Sequence, residues 1–242
     1  MLQIFSKEFS SFLNSLIAYV VIGVFLLAIG LLMWVFPDSS VLDYGYADMS
    51  TLFSLGPFVL IFLIPAITMR SFSEEKKGGT MELLFTKPLT DWDIILGKFL
   101  ASFALVLLAL LPTLVYYYSL HALGDPRGNI DTPGIIGSYI GLAMLAAAFS
   151  AIGVMASSMS ANQIVAFILA AFLCYLTFSG FDAVSGLAIW GPRALVIKQL
   201  GILFHYESMS RGLIDSRDIV YFASAIFLAL SITKLILSGR QW

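Results

Sequence analysis

Charged residues, histidine and cysteine are all scarce in this 242-residue sequence. Its single cysteine and two histidines exclude a disulfide framework and a cysteine-rich metal site. Charged residues make up 12% of the chain, about half the share in an average soluble domain, whereas 60% of the residues are hydrophobic. The net charge of −2 provides no basic excess for binding nucleic acid. The composition therefore predicts an integral membrane protein with no nucleic-acid partner.

The sequence also lacks the motifs of an ATPase or another enzyme. No G-x-x-x-x-G-K-[S/T] loop occurs, and Gly97-Lys98 stands without the glycine-rich run that binds phosphate. No Asp, Glu, Lys, Arg or His falls in the middle of a predicted span, which argues against a proton relay and against an intramembrane enzyme. His121 and His205, with Glu207 two residues from His205, are not expected to bind a metal, because a metal site needs at least three ligands in a fixed geometry. We therefore predict no catalytic residue, no metal and no cofactor in this chain.

Long apolar stretches predict an all-α, polytopic fold with six transmembrane helices. A hydrocarbon core about 30 Å thick needs roughly 20 helical residues per crossing. The polar cluster at residues 157–162 divides an uncharged stretch that is too long for one crossing. The whole chain, 1–242, is expected to form one transmembrane domain. The predicted spans are residues 16–36, 52–72, 91–120, 134–157, 161–181 and 218–238.

Residues 1–15 predict a helix that lies in the membrane interface. Apolar residues such as Leu2, Phe5, Phe9 and Leu13 recur at helical spacing, and polar residues occupy the other face. The next apolar stretch is about twice as long as the core of a signal peptide, so we expect it to remain as the first span.

Lysine and arginine are distributed unevenly between alternate loops, which predicts the orientation. With the N-terminus inside, eight of the 13 bases fall on the cytoplasmic side and nine of the 15 acids fall outside. Both termini are therefore expected in the cytoplasm, together with the loop between the second and third spans. The eight bases are Lys7, Arg70, Lys76, Lys77, Lys87, Lys98, Lys234 and Arg240.

That cytoplasmic loop contains strong signals for helix ends. Gly78-Gly79 is predicted to end the helix that leaves the second span. Pro88 prevents a helix from continuing through it, and Thr90 with Asp93 resembles a capping box that starts the third span. A short, separate helix is therefore predicted between the two glycines and the proline.

The short helix carries large apolar side chains on one face. Thr80 can cap it, and Glu82 lies in its first turn, where it favours the helix dipole. Met81, Leu84 and Phe85 share one face at helical spacing. Two interpretations remain open from the local pattern. The apolar face lies in lipid headgroups or under the bundle, or it fits a groove on a soluble partner.

Two segments of the sequence resemble a known family. Residues 75–98, EKKGGTMELLFTKPLTDWDIILGK, and residues 205–222, HYESMSRGLIDSRDIVYF, are similar to the type-2 ABC exporter (ABC-2) permeases. The interfacial N-terminal helix and the six spans fit the same family. Within it, the sequence looks most like the permease subunit of the gliding-motility ABC transporter.

The resemblance implies how such a protein is powered and assembled. Residues 80–86 would be the coupling helix that contacts an ABC ATPase subunit, through Thr80, Met81, Glu82, Leu84 and Phe85. Residues 1–15 would be the connecting helix, and residues 182–217 would form a re-entrant region at the outer end. ATP would bind to the partner subunit, and a second permease subunit, identical or different, would complete a dimer in the inner membrane.

Small residues and prolines within the spans have more than one interpretation. Gly137 and Gly141 form a G-x-x-x-G pattern in a stretch rich in alanine, which suits helix packing within the chain or a dimer interface. Pro57, Pro65 and Pro112 break helical hydrogen bonds, and they serve either as static kinks satisfied by neighbours or as hinges.

The sequence thus predicts a permease subunit of an ATP-binding-cassette exporter, associated with gliding motility. The chain itself is not an enzyme, and its contacts are the ATPase, the second permease subunit and membrane lipid. The alternative is a membrane scaffold that anchors an envelope or motility complex without transporting anything.

Overall fold

The computed structural model describes residues 1–43, 45–81 and 89–239, and within these ranges every regular element is a helix. The predicted all-α fold is therefore confirmed. The first half contains α1 (Leu2–Leu13), α2 (Leu16–Trp34), α3 (Ser50–Thr68), α4 (Arg70–Lys77), α5 (Asp91–Leu110) and α6 (Leu114–Leu123). The second half contains α7 (Thr132–Met159), α8 (Gln163–Tyr175), α9 (Phe181–Ser185), α10 (Ala194–Gln199), α11 (Ile202–Met209) and α12 (Ser216–Ser238).

Short irregular helices join several of these elements. A 3₁₀ turn, Leu111–Thr113, links α5 to α6, and a π-helical turn, Leu176–Gly180, links α8 to α9. A second 3₁₀ segment, Ala188–Arg193, precedes α10. The region predicted as re-entrant, residues 182–217, therefore consists of several short helices.

Five helical stretches in the described part of the chain are long and apolar enough to cross a membrane. They are Ser50–Lys77, Asp91–Leu123, Thr132–Met159, Gln163–Ser185 and Ser216–Ser238. A sixth candidate combines α1 with α2, which meet at an angle of 69°. The protein is therefore a multi-pass membrane protein with five or six candidate spans, and the predicted spans overlap these helices.

Helix α7 lies at the centre of the bundle. In the most apolar 18 residues of α7, 83% of the residues are buried. The corresponding share is 22% in Gln163–Ser185 and also in α12. It packs against α3, α4, α5, α8, α11 and α12. Its alanines and glycines allow so many neighbours because small side chains let helix backbones approach closely.

Local capping sets the start of several helices. Thr90 and Asp93 form the predicted capping box, with Asp93 N–H donating to Thr90 Oγ1 at 3.2 Å, and α5 begins at Asp91. The prediction of this boundary is confirmed. Asn162 accepts a hydrogen bond from the Ile164 N–H at 2.9 Å and so starts α8 after a short polar turn.

Pro57 interrupts the backbone hydrogen bonding of α3. A proline has no N–H, so the carbonyl four residues earlier, that of Phe53, receives no helical hydrogen bond from it. The hydroxyl of Tyr206 in α11 donates to this carbonyl instead. At Pro57, a neighbouring helix therefore satisfies the broken position.

Candidate functional site

The side chain of Lys98 is buried where α1, α4 and α5 meet. Only 1% of it is exposed. Its Nζ lies 3.0 Å from Glu8 Oε1 and 2.9 Å from Glu75 Oε1, and it donates to the Ser71 carbonyl at 2.6 Å. Three acceptors around one ammonium match its three donors. A single residue of α5 therefore holds α1 and α4 together.

Lys7 brings a second cation to the same two carboxylates. Its Nζ lies 3.6 Å from Glu8 Oε1 and 3.7 Å from Glu75 Oε1, and 64% of its side chain is exposed. The four charges balance, which offsets part of the cost of removing Lys98 from water. We call Lys7, Glu8, Glu75 and Lys98 the ion cluster.

The environment of the ion cluster is partly apolar. The ring of Phe72, which is fully buried, has its centroid 5.1 Å from Lys98 Nζ, within the range of a cation–π contact. Among the described residues, Glu75 Oε2 and Ser71 Oγ are buried without a hydrogen-bond partner. The cluster therefore depends on Lys98, because its other polar atoms have few alternative partners.

Helix α1 fits closely against α5 beside the cluster. A Cβ atom at Gly97 would lie 2.8 Å from Ile4 Cγ2, so only glycine leaves room for Ile4 at this crossing. The N-terminal ammonium lies 3.2 Å from Asp93 Oδ1 in the first turn of α5. The amphipathic helix predicted from residues 1–15 thus has a defined position on the bundle.

The hydroxyl of Ser157 in α7 is hydrogen-bonded to the backbone at the break between α3 and α4. Its hydroxyl donates to the Met69 carbonyl at 3.0 Å and accepts from the N–H groups of Phe72 and Ser73 at 3.0 and 3.2 Å. These are backbone groups at a helix junction, where internal partners are missing. One turn further on, Lys76 Nζ donates to the Ser158 carbonyl. The position of α4 is thereby fixed to α5 and α7.

Helix α4 leads directly into the predicted coupling segment, residues 80–86. It ends at Gly78-Gly79, where Gly79 has a φ of +65°, a conformation that favours glycine. Thr80 is exposed, but Met81 is 5% exposed and belongs to the buried core. Met81 therefore packs in the core of this chain, and its contact with an ATPase stays a prediction.

The other predicted contacts, Glu82, Leu84 and Phe85, lie outside the described residues. Their contact with an ATPase stays a prediction. What the structure does show is that the segment starts immediately beside the ion cluster, because Glu75 is only five residues before Thr80. The backbone of Thr80 also donates to the Glu75 carbonyl at 3.1 Å.

Gly137 and Gly141 lie against α11 and the turn after it. A Cβ at Gly137 would be 2.6 Å from the Gly212 carbonyl oxygen, and one at Gly141 would be 2.7 Å from Met209 Cβ. Between them, Ser138 Oγ donates to the Ser210 carbonyl at 2.7 Å. These glycines permit close packing within the chain, and their role at a dimer interface stays a prediction.

Sequence reasoning missed the ion cluster. Lys98 was assigned only to the cytoplasmic bases, and Glu8 is 90 residues away from it in the chain. Lys98 lies within the apolar stretch that begins at Ile94, and this position could have indicated that it is buried. A lysine buried among apolar residues usually needs a partner. The sequence gives no signal for which acids pair with it.

Comparison with known proteins identifies similarity to one family. A family model described as ABC-2 family transporter protein matches residues 37–192. The match covers most of the chain, from the loop before α3 to the second 3₁₀ segment, and includes α4 and α5 of the ion cluster. A comparison with curated proteins finds no match.

Proposed function

Because the chain belongs to the ABC-2 family of transporter proteins, we propose that it is the permease subunit of an exporter driven by a separate cytoplasmic ATPase subunit. The ATPase is required because the sequence has no phosphate-binding loop of its own. ATP binds to the partner, and this chain contributes the membrane path.

The arrangement of α4 carries this proposal. The helix joins the proposed docking segment, residues 80–86, to the rest of the bundle by two routes. At one end it is bonded to α7 through Ser157, and along its length it is bonded to α1 and α5 through Lys98. A force applied to the docking segment is therefore passed to three helices. This connection is what a permease needs when its energy is supplied from outside.

The remaining features of the assembly form part of the same proposal. The ion cluster and both termini face the cytoplasm, in agreement with the distribution of lysine and arginine. Two permease subunits, identical or different, stand in the inner membrane over two ATPase subunits. Association with gliding motility rests on the resemblance of the sequence, within the ABC-2 family, to that transporter's permease subunit.

Co-purification tests the docking segment. The tagged protein is purified from its host in a mild detergent, and bound proteins are identified by mass spectrometry. We expect an ABC ATPase with the wild type, and a loss of at least tenfold in the Leu84→Asp, Phe85→Asp double variant. A matched control is the Leu213→Asp, Ile214→Asp double variant, which makes the same change at exposed positions between α11 and α12.

Loss of the ATPase with the first variant alone supports the proposal. Equal recovery with both variants, or no ATPase with the wild type, overturns docking through residues 80–86. The alternative of a membrane scaffold is tested by ATP turnover. A permease changes the turnover of its bound ATPase on assembly in a lipid bilayer, whereas a passive scaffold leaves it unchanged.

A further inference from the structure

His205 and Asp218 form a partly buried pair at the end of the bundle opposite the ion cluster. Near the ion cluster, Trp92 at the start of α5 stacks on Phe227 of α12, and Lys234 Nζ lies 5.4 Å from its ring. Asp218 comes about 24 Å before Lys234 along α12 at 1.5 Å per residue. The pair therefore joins α11 to the first turn of α12, at the end of this helix that is distant from the ion cluster.

Both ring nitrogens of His205 face hydrogen-bond acceptors. Nδ1 lies 2.7 Å from Asp218 Oδ1, and Nε2 lies 3.0 Å from the backbone carbonyl oxygen of Gln199. A neutral imidazole has one N–H and can donate to only one of them. An ionised carboxylate and a carbonyl oxygen can only accept hydrogen bonds. In a neutral ring, the nitrogen without a proton would therefore direct its lone pair at the lone pair of an acceptor oxygen.

We propose that His205 and Asp218 form a proton-binding site, in which one additional proton is held on His205 as an imidazolium. The imidazolium donates through Nδ1 to the Asp218 carboxylate and through Nε2 to the Gln199 carbonyl. In this state α10, α11 and α12 are joined through one ring. The site does not depend on the proposed ATPase partner.

An aromatic ring and an unpaired carboxylate oxygen lie next to the imidazole. Tyr221 stacks on the imidazole with ring centroids 3.9 Å apart and donates its hydroxyl to the Leu200 carbonyl at 2.7 Å. The side chain of Asp218 is 8% exposed, and among the described residues its Oδ2 is buried without a hydrogen-bond partner. A buried carboxylate without other donors is stabilised by a neighbouring cation.

Other charged groups line the adjoining cavity of about 620 Å³. From α10, Lys198 lies 3.0 Å from Asp182, and this hydrogen bond and charge attraction, followed by the attraction of Glu207, raise the pKa of Lys198. Helix α7, which packs against both α11 and α12, has no charged residue. The charged groups of the cavity wall around His205 are Lys198, Glu207, Arg211, Asp215, Arg217 and Asp218.

The proton makes the joint between the three helices dependent on pH. Imidazole changes charge between about pH 5 and 8 in most proteins, so the site is expected to empty as the pH rises. When the proton leaves, one of the two acceptors loses its donor. Both hydrogen bonds that link α10 to α12 through His205 are therefore present at low pH, and one of them is lost at high pH.

Nitrogen-15 NMR of the histidine rings tests the site directly. The protein is labelled at its two histidines and reconstituted in nanodiscs, and His121→Gln assigns the signals. We expect both ring nitrogens of His205 to be protonated at pH 6 and one to lose its proton as the pH is raised to 9. A His205 ring with an unprotonated nitrogen at pH 6, whichever nitrogen it is, overturns the proposal.

Asp218→Asn is the informative variant. The asparagine amide can donate to Nδ1, while Nε2–H donates to Gln199, so a neutral ring satisfies both contacts. We expect His205 in this variant to be neutral at pH 7. Asp215→Asn is the matched control. It removes a negative charge from the same cavity and keeps an equivalent helix cap for α12, but it leaves both acceptors of His205 in place, so both ring nitrogens should stay protonated at pH 6.

Thermal unfolding provides a second measurement. Between pH 6 and 9 the wild type is expected to lose about 2 to 4 °C in Tm more than Asp218→Asn, the shift that one hydrogen bond produces in a chain of this size. Equal pH dependence of Tm in the two proteins contradicts the proposal. If Asp218→Asn fails to fold, the wild-type NMR titration alone decides.

Discussion

The hydroxyl oxygen of Tyr206 lies 2.6 Å from the carbonyl oxygen of Phe53, and both are buried in the bundle. The pairing of a residue in α11 with one in α3 follows from Pro57, which cannot donate to the carbonyl four residues before it. In an apolar bundle, an unpaired carbonyl is costly. Tyr206 therefore compensates for a proline on another helix.

A double-mutant cycle measures this compensation. Tyr206→Phe leaves the Phe53 carbonyl without a donor and should lower the free energy of unfolding by about 1 to 3 kcal/mol. In a Pro57→Ala background, the new backbone N–H at residue 57 supplies the helical hydrogen bond. The same Tyr206→Phe change should then cost less than about 1 kcal/mol.

Unfolding can be followed through the native thiol of Cys174. This side chain is fully buried, so a thiol-reactive dye reports only on unfolded protein. Equal costs of Tyr206→Phe in the two backgrounds would show that the hydroxyl acts independently of Pro57.

Replacing Lys98 should destabilise the protein strongly. Lys98→Met leaves Glu8 and Glu75 with only the more distant ammonium of Lys7, at 3.6 and 3.7 Å, and removing the buried partner of an ion pair costs about 3 to 5 kcal/mol. The measurement is thermal unfolding with the Cys174 readout. Lys7→Met is the matched control, because that side chain is 64% exposed and should change stability by less than about 1 kcal/mol.

A compensating variant separates charge from packing at Lys98. Adding Glu8→Gln and Glu75→Gln to Lys98→Met removes both carboxylate charges that Lys98 had paired, and most of the lost stability should return. No recovery in the triple variant would mean that the lysine stem, rather than its ammonium, holds the three helices.

Gly97→Ala tests how closely α1 is seated on α5. The added Cβ would lie 2.8 Å from Ile4 Cγ2, so α1 has to shift, at a cost of about 1 to 3 kcal/mol in unfolding free energy. Gly23→Ala is the control, since nothing lies within 4 Å of a Cβ at that position in α2. It should be neutral or stabilising by up to about 1 kcal/mol. Equal effects of the two changes would contradict the described crossing of α1.

Cysteine labelling tests the predicted orientation. Native Cys174 should stay unlabelled in intact membranes because it is buried. Lys77→Cys and Leu213→Cys place thiols at exposed positions on opposite ends of the bundle. We expect an impermeant maleimide added from outside to label Leu213→Cys, and Lys77→Cys to react only after the membrane is opened. The reverse pattern would place the ion cluster outside the cytoplasm.

The fold class and several helix ends could be predicted from local sequence. The capping box at Thr90 and Asp93, the break at Gly78-Gly79 and the turn before Asn162 depend on residues within a few positions of each other. Such signals act through short-range backbone geometry, so they are visible in the chain without knowledge of its neighbours.

The contacts of the candidate site could not be predicted in the same way. Lys98 pairs with Glu8, and Tyr206 donates to Phe53, across large sequence distances that no local pattern records. Spacing indicated that His205 and Glu207 were neighbours, whereas the partner in space is Asp218 on another helix. These pairings depend on how the helices pack, which the apolar stretches leave undetermined.

The length of α7 has a mechanical consequence. At one end, Ser138 is hydrogen-bonded to the turn after α11. At the other end, Ser157 is hydrogen-bonded to the junction of α3 and α4. The two serines are about 28 Å apart along the helix, at 1.5 Å per residue. The rod between them is an unbroken helix. If α4 moves and both sets of hydrogen bonds are kept, α7 has to tilt or slide as one helix. A displacement at one end of the bundle is then transmitted to the other end.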